Sequence, residues 1–140
     1  MVKVIDKIQI SNLKRISSKG GNVMHALKSS EDSYSKFGEA YFSLLQPGVI
    51  RAWKYHKEMI SNIIVPIGSI KFVFYEDDIF KEIIAGENNY IRLTIPPKIW
   101  FGFMCISQNQ SFILNIANII HDDSEVINKN IDELNYDWIN

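Results

Sequence analysis

The residues of this chain best suited to chemistry lie in one short stretch, Arg51-Ala52-Trp53-Lys54-Tyr55-His56. Lys54 and His56 are two apart, so on a regular strand they share a face. A histidine exchanges protons near neutral pH and suits acid/base work, substrate hydrogen bonding or a satisfied structural role. Lys54 reads either as a base or carbonyl-polarising cation, or as a lysine whose stem lines a pocket mouth while its ammonium stays in water. Arg51 offers the paired donors of a guanidinium to an anion or a keto oxygen, or else ties strand ends together. Its parity is opposite to that of Lys54 and His56, so it reaches the same pocket only if the strand bulges or begins later. His25 and His121 have no partner at useful spacing and read as surface or capping residues. Cys105 is the single cysteine, which excludes an intrachain disulfide and leaves a buried, inert thiol as the default.

Strands must position these groups. Apolar residues recur with period two or in short runs bounded by Gly, Pro, Asn and Ser. Ile70, Phe72 and Phe74 alternate with Lys71, Val73 and Tyr75, and Ile91, Leu93 and Ile95 alternate with Tyr90, Arg92 and Thr94. Such alternation belongs to sheets with one buried face. Strands are predicted over residues 3–10, 40–45, 49–56, 60–66, 69–75, 90–95 and 112–119, with a turn at 17–22. One short helical turn is predicted within 29–37, where Ser30 precedes Glu31 and Asp32. The acidic runs Glu76-Asp77-Asp78 and Asp122-Asp123 lack calcium-loop spacing and read as solvated turns. Many short strands with Gly/Pro turns imply a β-sandwich or barrel.

Composition sets outer bounds. A chain of 140 residues with 46% apolar and 22% charged residues has the length of one domain, residues 1–140, and can bury a real core. A net charge of −1, with Lys and Arg dispersed, gives no electrostatic case for nucleic acid or membrane binding. No apolar run approaches a membrane span, and the charged first residues do not resemble a signal peptide, so a cytoplasmic location is expected.

Longer motifs carry a family resemblance. Pro47-Gly48-Val49-Ile50-Arg51-Ala52-Trp53-Lys54-Tyr55-His56-Lys57 resembles the "PGVxRGxHYHK" segment of the dTDP-4-dehydrorhamnose 3,5-epimerase (RmlC-like) cupins. Residues 89–103, NYIRLTIPPKIWFGF, resemble that family's "N-x-x-L-x-IPPGxxHGF"; residues 36–42 and Tyr136-Asp137-Trp138 also fit. The frame from Gly48 to Gly68 has the spacing of the first cupin motif, but Lys54 and Ser61 stand where that motif has metal ligands. The resemblance implies an all-β, RmlC-like cupin, a double-stranded β-helix or jelly-roll barrel with one or two short helical turns. It further implies a nucleotide-linked sugar as ligand and a homodimer to which residues 3–10 add a strand. With His56 alone in the metal frame, no metal and no other cofactor is expected.

In the resembled epimerases a histidine removes a proton beside a 4-keto group and a tyrosine returns one on the opposite face. The base histidine aligns with Lys54, the histidine of "HGF" with Phe101, and the acid tyrosine with Leu114 or its neighbour. A phosphate-binding arginine aligns with Gly20, a glutamate with His25, and the base-supporting aspartate with Asp132 or Ile131. A related group of nucleotide-sugar 3,4-ketoisomerases carries "RGxHAHK", whose second histidine matches His56. Lys54, His56 and Arg51 are therefore the candidate catalytic set. Trp53, Trp100 and Asn115 are the candidate substrate contacts, with Tyr41 and Phe101 further aromatics able to stack or to fill volume. Two functions compete: an epimerase or isomerase of a dTDP-4-keto-6-deoxyhexose, and a non-catalytic cupin that binds a sugar nucleotide or a protein.

Overall fold

A computed structural model describes residues 2–139. Two five-stranded antiparallel sheets face each other. The first runs in the order β1 (Gln9–Asn12), β9 (Ile91–Ile95), β6 (Ser61–Ile67), β11 (Ser111–Ala117), β4 (Glu39–Leu45). The second runs β12 (Val126–Asn128), β5 (Ile50–His56), β10 (Trp100–Cys105), β7 (Ser69–Glu76), β8 (Ile79–Gly86). A separate ribbon, β2 (Arg15–Ser18) with β3 (Gly21–Met24), completes the strands. The turn expected at 17–22 is the tip of that ribbon.

The alternation read from β7 and β9 sets the core. Ile70, Phe72 and Phe74 meet Leu93, Ile95, Ile63 and Ile113 between the sheets, all buried. Each such side chain contributes roughly 1.5–3 kcal/mol of apolar burial. The outward faces are buried too, by different means. Behind the second sheet, Val73 and Trp53 pack against Leu134 and Trp138 of the C-terminal tail. Behind the first, Arg92 of β9 is only 1% exposed. It donates to Ala26 O, Glu31 Oε2 and Ser33 Oγ at 2.8, 2.6 and 2.7 Å, pinning the preceding segment across the sheet.

Three local expectations are corrected. Residues 3–10 are not one strand: Val4–Lys7 is a 3-10 turn, because Ile5 buries its side chain while its N–H donates to Glu76 Oε1 at 2.8 Å. Strand β1 begins only at Gln9 and pairs with β9 of the same chain. No helix forms in 29–37; two successive turns close there instead, with the Glu31 N–H donating to Lys28 O at 3.1 Å and the Tyr34 N–H to Glu31 O at 3.0 Å. Finally, β2, β3, β8, β10 and β12 fall outside the expected strands. β8 follows a two-residue turn in which Asp77 and Asp78 both have positive φ (49° and 64°), a conformation that aspartate tolerates.

Gly68 joins β6 to β7 at φ +89°, and a Cβ there would lie 2.7 Å from Ser111 Cβ and 2.8 Å from its Cα. Both the backbone conformation and the space require glycine. Gly68→Ala is expected to lower stability by about 2–4 kcal/mol, read from urea midpoints at unchanged m-value.

Candidate functional site

Residues of both sheets line a cavity of about 600 Å³, a size suited to a small-molecule ligand. Tyr41 and Ser43 of β4 with Ile113 and Asn115 of β11 form one wall. Arg51, Lys54 and His56 of β5, with Phe101 and Phe103 of β10, form the other.

The parity problem of Arg51 is resolved by a bulge. Phe101 pairs with Lys54 and Phe103 with Arg51, so β5 places one residue more than β10 between the same two rungs. Gly102 sits opposite, where a Cβ would come within 2.6 Å of Ala52 Cβ. A bulge re-aims the side chains beyond it, and here it turns Arg51 to the cavity face shared by Lys54 and His56.

His56 is held from behind. Its Nδ1 lies 2.5 Å from Glu125 Oε1, and Glu125 is only 5% exposed. The other carboxylate oxygen accepts the backbone N–H groups of Glu58 and Met59, both at 3.1 Å. Burial pushes the Glu125 carboxyl up, but the His56 contact and the two amides outweigh it and hold the group below its ordinary value. A carboxylate on Nδ1 fixes ring orientation and leaves Nε2 as the working nitrogen. A group with a depressed folded pKa adds stability above its unfolded pKa, and that stability is lost as pH falls through the folded value. Below the ordinary value of 4.5, wild-type stability should therefore fall more steeply with pH than that of Glu125→Gln, as measured by urea midpoints.

The cavity wall contains no Asp or Glu among the described residues. Arg51 and Lys54 have no side-chain hydrogen bond or ion pair among the described residues. Two unneutralised cations in a concave site attract an anionic ligand. No group of His, Cys, Asp and Glu able to hold a metal occurs among the described residues.

A profile of the family described as "FdtA: WxcM-like, C-terminal" matches residues 6–136. The chain belongs to this family. Among its relatives is the "probable low-salt glycan biosynthesis epimerase Agl13" of Haloferax volcanii, 29% identical over 96% of this chain and 94% of the relative. Another is the spore coat polysaccharide biosynthesis protein SpsL of Bacillus subtilis, 23% identical over 96% and 97%. The crystal structure of a dTDP sugar isomerase from Desulfovibrio desulfuricans superposes with a TM-score of 0.87 at 31% identity, covering 94% of this chain and 89% of that one. The RmlC epimerase of Legionella pneumophila superposes at 0.78 with 16% identity over 91% and 74%, which establishes the RmlC-like cupin fold.

In this WxcM-like chain the residues expected from sequence separate into two groups. Lys54, His56, Arg51 and Asn115 come together at the cavity. Trp100 is corrected as a substrate contact, while Trp53 borders the cavity but is only 1% exposed. Trp53 occupies the bulge with its indole turned to the outer cluster, 5.2 Å from Trp138, and Nε1 donates to Ile131 O at 3.1 Å. Trp100 has the opposite parity to Phe101 and packs on Tyr55 at 5.2 Å, with Lys129 Nζ 4.9 Å from its ring centre. Leu114 faces outward and its neighbour Asn115 inward, which decides the register on β11. His25, Asp132 and His121 do not line the cavity; His121 pairs with exposed Asp123 at 2.8 Å. Sequence reasoning missed Glu125, which lies 69 residues from His56. No local pattern links the two.

Proposed function

We propose that this protein is an isomerase or epimerase of a nucleotide-linked 4-keto-6-deoxyhexose, working in polysaccharide or deoxysugar biosynthesis. The observation that carries this reading is His56, set in the cavity wall and backed by Glu125, on the sheet opposite Tyr41. Proton transfer beside a ketone needs a base, a proton donor and a positive environment for the enolate oxygen. His56 Nε2 takes the proton from the carbon next to the carbonyl. Its imidazolium is stabilised by the Glu125 carboxylate. Arg51 and Lys54 supply positive charge to the enolate oxygen or to the diphosphate. Tyr41, on the other wall, is placed to return a proton. The names of the relatives, glycan and spore-coat biosynthesis proteins and a dTDP sugar isomerase, support the substrate class.

The test is exchange chemistry. With dTDP-4-keto-6-deoxyglucose in deuterium oxide, the wild-type protein should exchange a ring proton beside the carbonyl, followed by NMR. Binding without exchange across several keto sugars would overturn the enzyme reading in favour of a non-catalytic binding module.

The same proposal includes a homodimer. Phe42, which is 64% exposed, and Leu44 stand beside their cross-strand partners Leu114 and Phe112 on the outer face of the first sheet. A contiguous apolar sheet face in water favours a partner, and a second copy supplies a matching face. Phe42→Lys is expected to shift the sedimentation coefficient from dimer to monomer; a wild-type monomer at micromolar concentration would remove this part. We place the work in the cytoplasm, the usual compartment for a fold built without disulfides.

A further inference from the structure

Across the cavity from His56, Asn115 and Tyr41 form a cross-strand pair of β11 and β4. Asn115 Nδ2 donates to Tyr41 Oη at 3.0 Å. Asn115 Oδ1 is buried and has no partner among the described residues. The other buried side-chain atoms without partners, on Ser61, Arg92 and Trp138, belong to residues that do not line the cavity. An orphaned buried acceptor is costly and uncommon, and one placed at the wall of a ligand cavity calls for a donor from the ligand.

The direction of the Asn115–Tyr41 bond has a second consequence. Because the phenol oxygen accepts from Nδ2, its own proton is not spent on Asn115 and is free to point into the cavity. When that proton leaves, the amide N–H remains on the oxygen that gains charge.

We infer that Asn115 has two roles in the proposed reaction: its Oδ1 accepts a hydrogen bond from a hydroxyl of the sugar ring, and its Nδ2 positions Tyr41 with the phenol proton toward the ligand. This rests on the nucleotide-sugar reading. In the step that uses it, the Tyr41 O–H bond breaks, the proton forms a C–H bond at the enolate carbon, and the phenolate is reprotonated from solvent. Asn115 is the positioning and sugar-reading residue; Tyr41 delivers the proton.

Two substitutions separate the roles. Asn115→Leu removes both polar ends at similar volume, whereas Asn115→Asp keeps an acceptor for the hydroxyl but replaces the donor to Tyr41. Calorimetric titrations with dTDP and dTDP-glucose give the sugar preference as a ratio of affinities, which cancels the effect of added charge on the diphosphate. Wild type should prefer dTDP-glucose. Asn115→Leu should reduce that preference about tenfold, the range of one unmatched buried hydrogen bond. Asn115→Asp should keep it within about twofold, yet slow deuterium exchange about a hundredfold, since its carboxylate accepts a hydrogen bond from the phenol and turns that proton away from the ligand. Matched melting temperatures confirm folding.

An unchanged ratio in Asn115→Leu, no wild-type preference for dTDP-glucose, or wild-type exchange rates in Asn115→Asp would overturn the inference. A wild-type protein that shows the preference, loses it in Asn115→Leu, and exchanges no proton would overturn only the enzymatic reading.

Discussion

His56→Asn is expected to slow deuterium exchange into a dTDP-4-keto-6-deoxy sugar by about 10³-fold, while the dissociation constant for dTDP changes less than threefold. A positioned general base contributes roughly 10²–10⁴-fold. The upper part of that range applies because the imidazole is fixed before substrate arrives. Its Nδ1 is 2.5 Å from a carboxylate that is itself held by two backbone N–H groups, so little reorganisation precedes proton transfer. Asparagine retains polarity and modest size, which keeps the wall intact, but it has no basic nitrogen. Lys54→Ala should show a different signature. Lys54 lies on the same strand two residues before His56, without a side-chain partner among the described residues, and its loss is expected to weaken dTDP binding together with exchange. If His56→Asn exchanged at the wild-type rate while Lys54→Ala did not, the base would be Lys54.

Glu31→Ala is expected to cost about 3 kcal/mol of folding stability, although Glu31 lies in an irregular segment at the surface. The reason is Arg92. Its guanidinium is buried to 1% exposure on the outer side of β9, and Glu31 is its only carboxylate partner among the described residues. Removing Glu31 leaves a buried cation supported only by Ser33 Oγ and the carbonyl of Ala26. Replacing both residues together, Glu31→Ala with Arg92→Met, should recover part of the loss, because the unpaired charge disappears with its partner. The pH dependence has a defined sign. The hydrogen bond from Arg92, chief among the causes, holds the Glu31 carboxyl below its ordinary value of 4.5. Its stabilising contribution is therefore present above that value and disappears as pH falls through the folded pKa. Thermal melts of wild type and Glu31→Ala should converge toward acid pH.

These two sites differ in how far they were legible beforehand. Lys54, His56 and Arg51 stand out in sequence because their types and spacing, and the "PGVxRGxHYHK" frame around them, are local. Arg92 also stands out as a charge in an apolar run, but its partner lies 61 residues away in a segment where sequence suggests a helical turn. The fold shows the same division. Alternation in residues 69–75 and 90–95 marks strands with one core face, and the Gly48-to-Gly68 frame marks a cupin. The paired sheets and the family match over residues 6–136 agree with both. Strand β10 escaped because Gly102 and a cluster of aromatics disrupt simple alternation, and β12 because three residues are too short to carry a period.

By itself, the sequence determined the class of fold, the family and the strand that carries Arg51, Lys54 and His56, since each depends on residue types at fixed short spacing. Tertiary structure alone decided which groups meet. One extra residue in β5 brings Arg51 to the cavity and packs the Trp53 indole into the outer cluster. Pairing of β11 with β4 sets Asn115 against Tyr41, 74 positions earlier, and β12 carries the loop that brings Glu125 to His56. Such contacts depend on register and on the sum of many packing choices along the intervening chain. No local run of residues encodes them, and a shift of one residue in either strand would reverse every face involved.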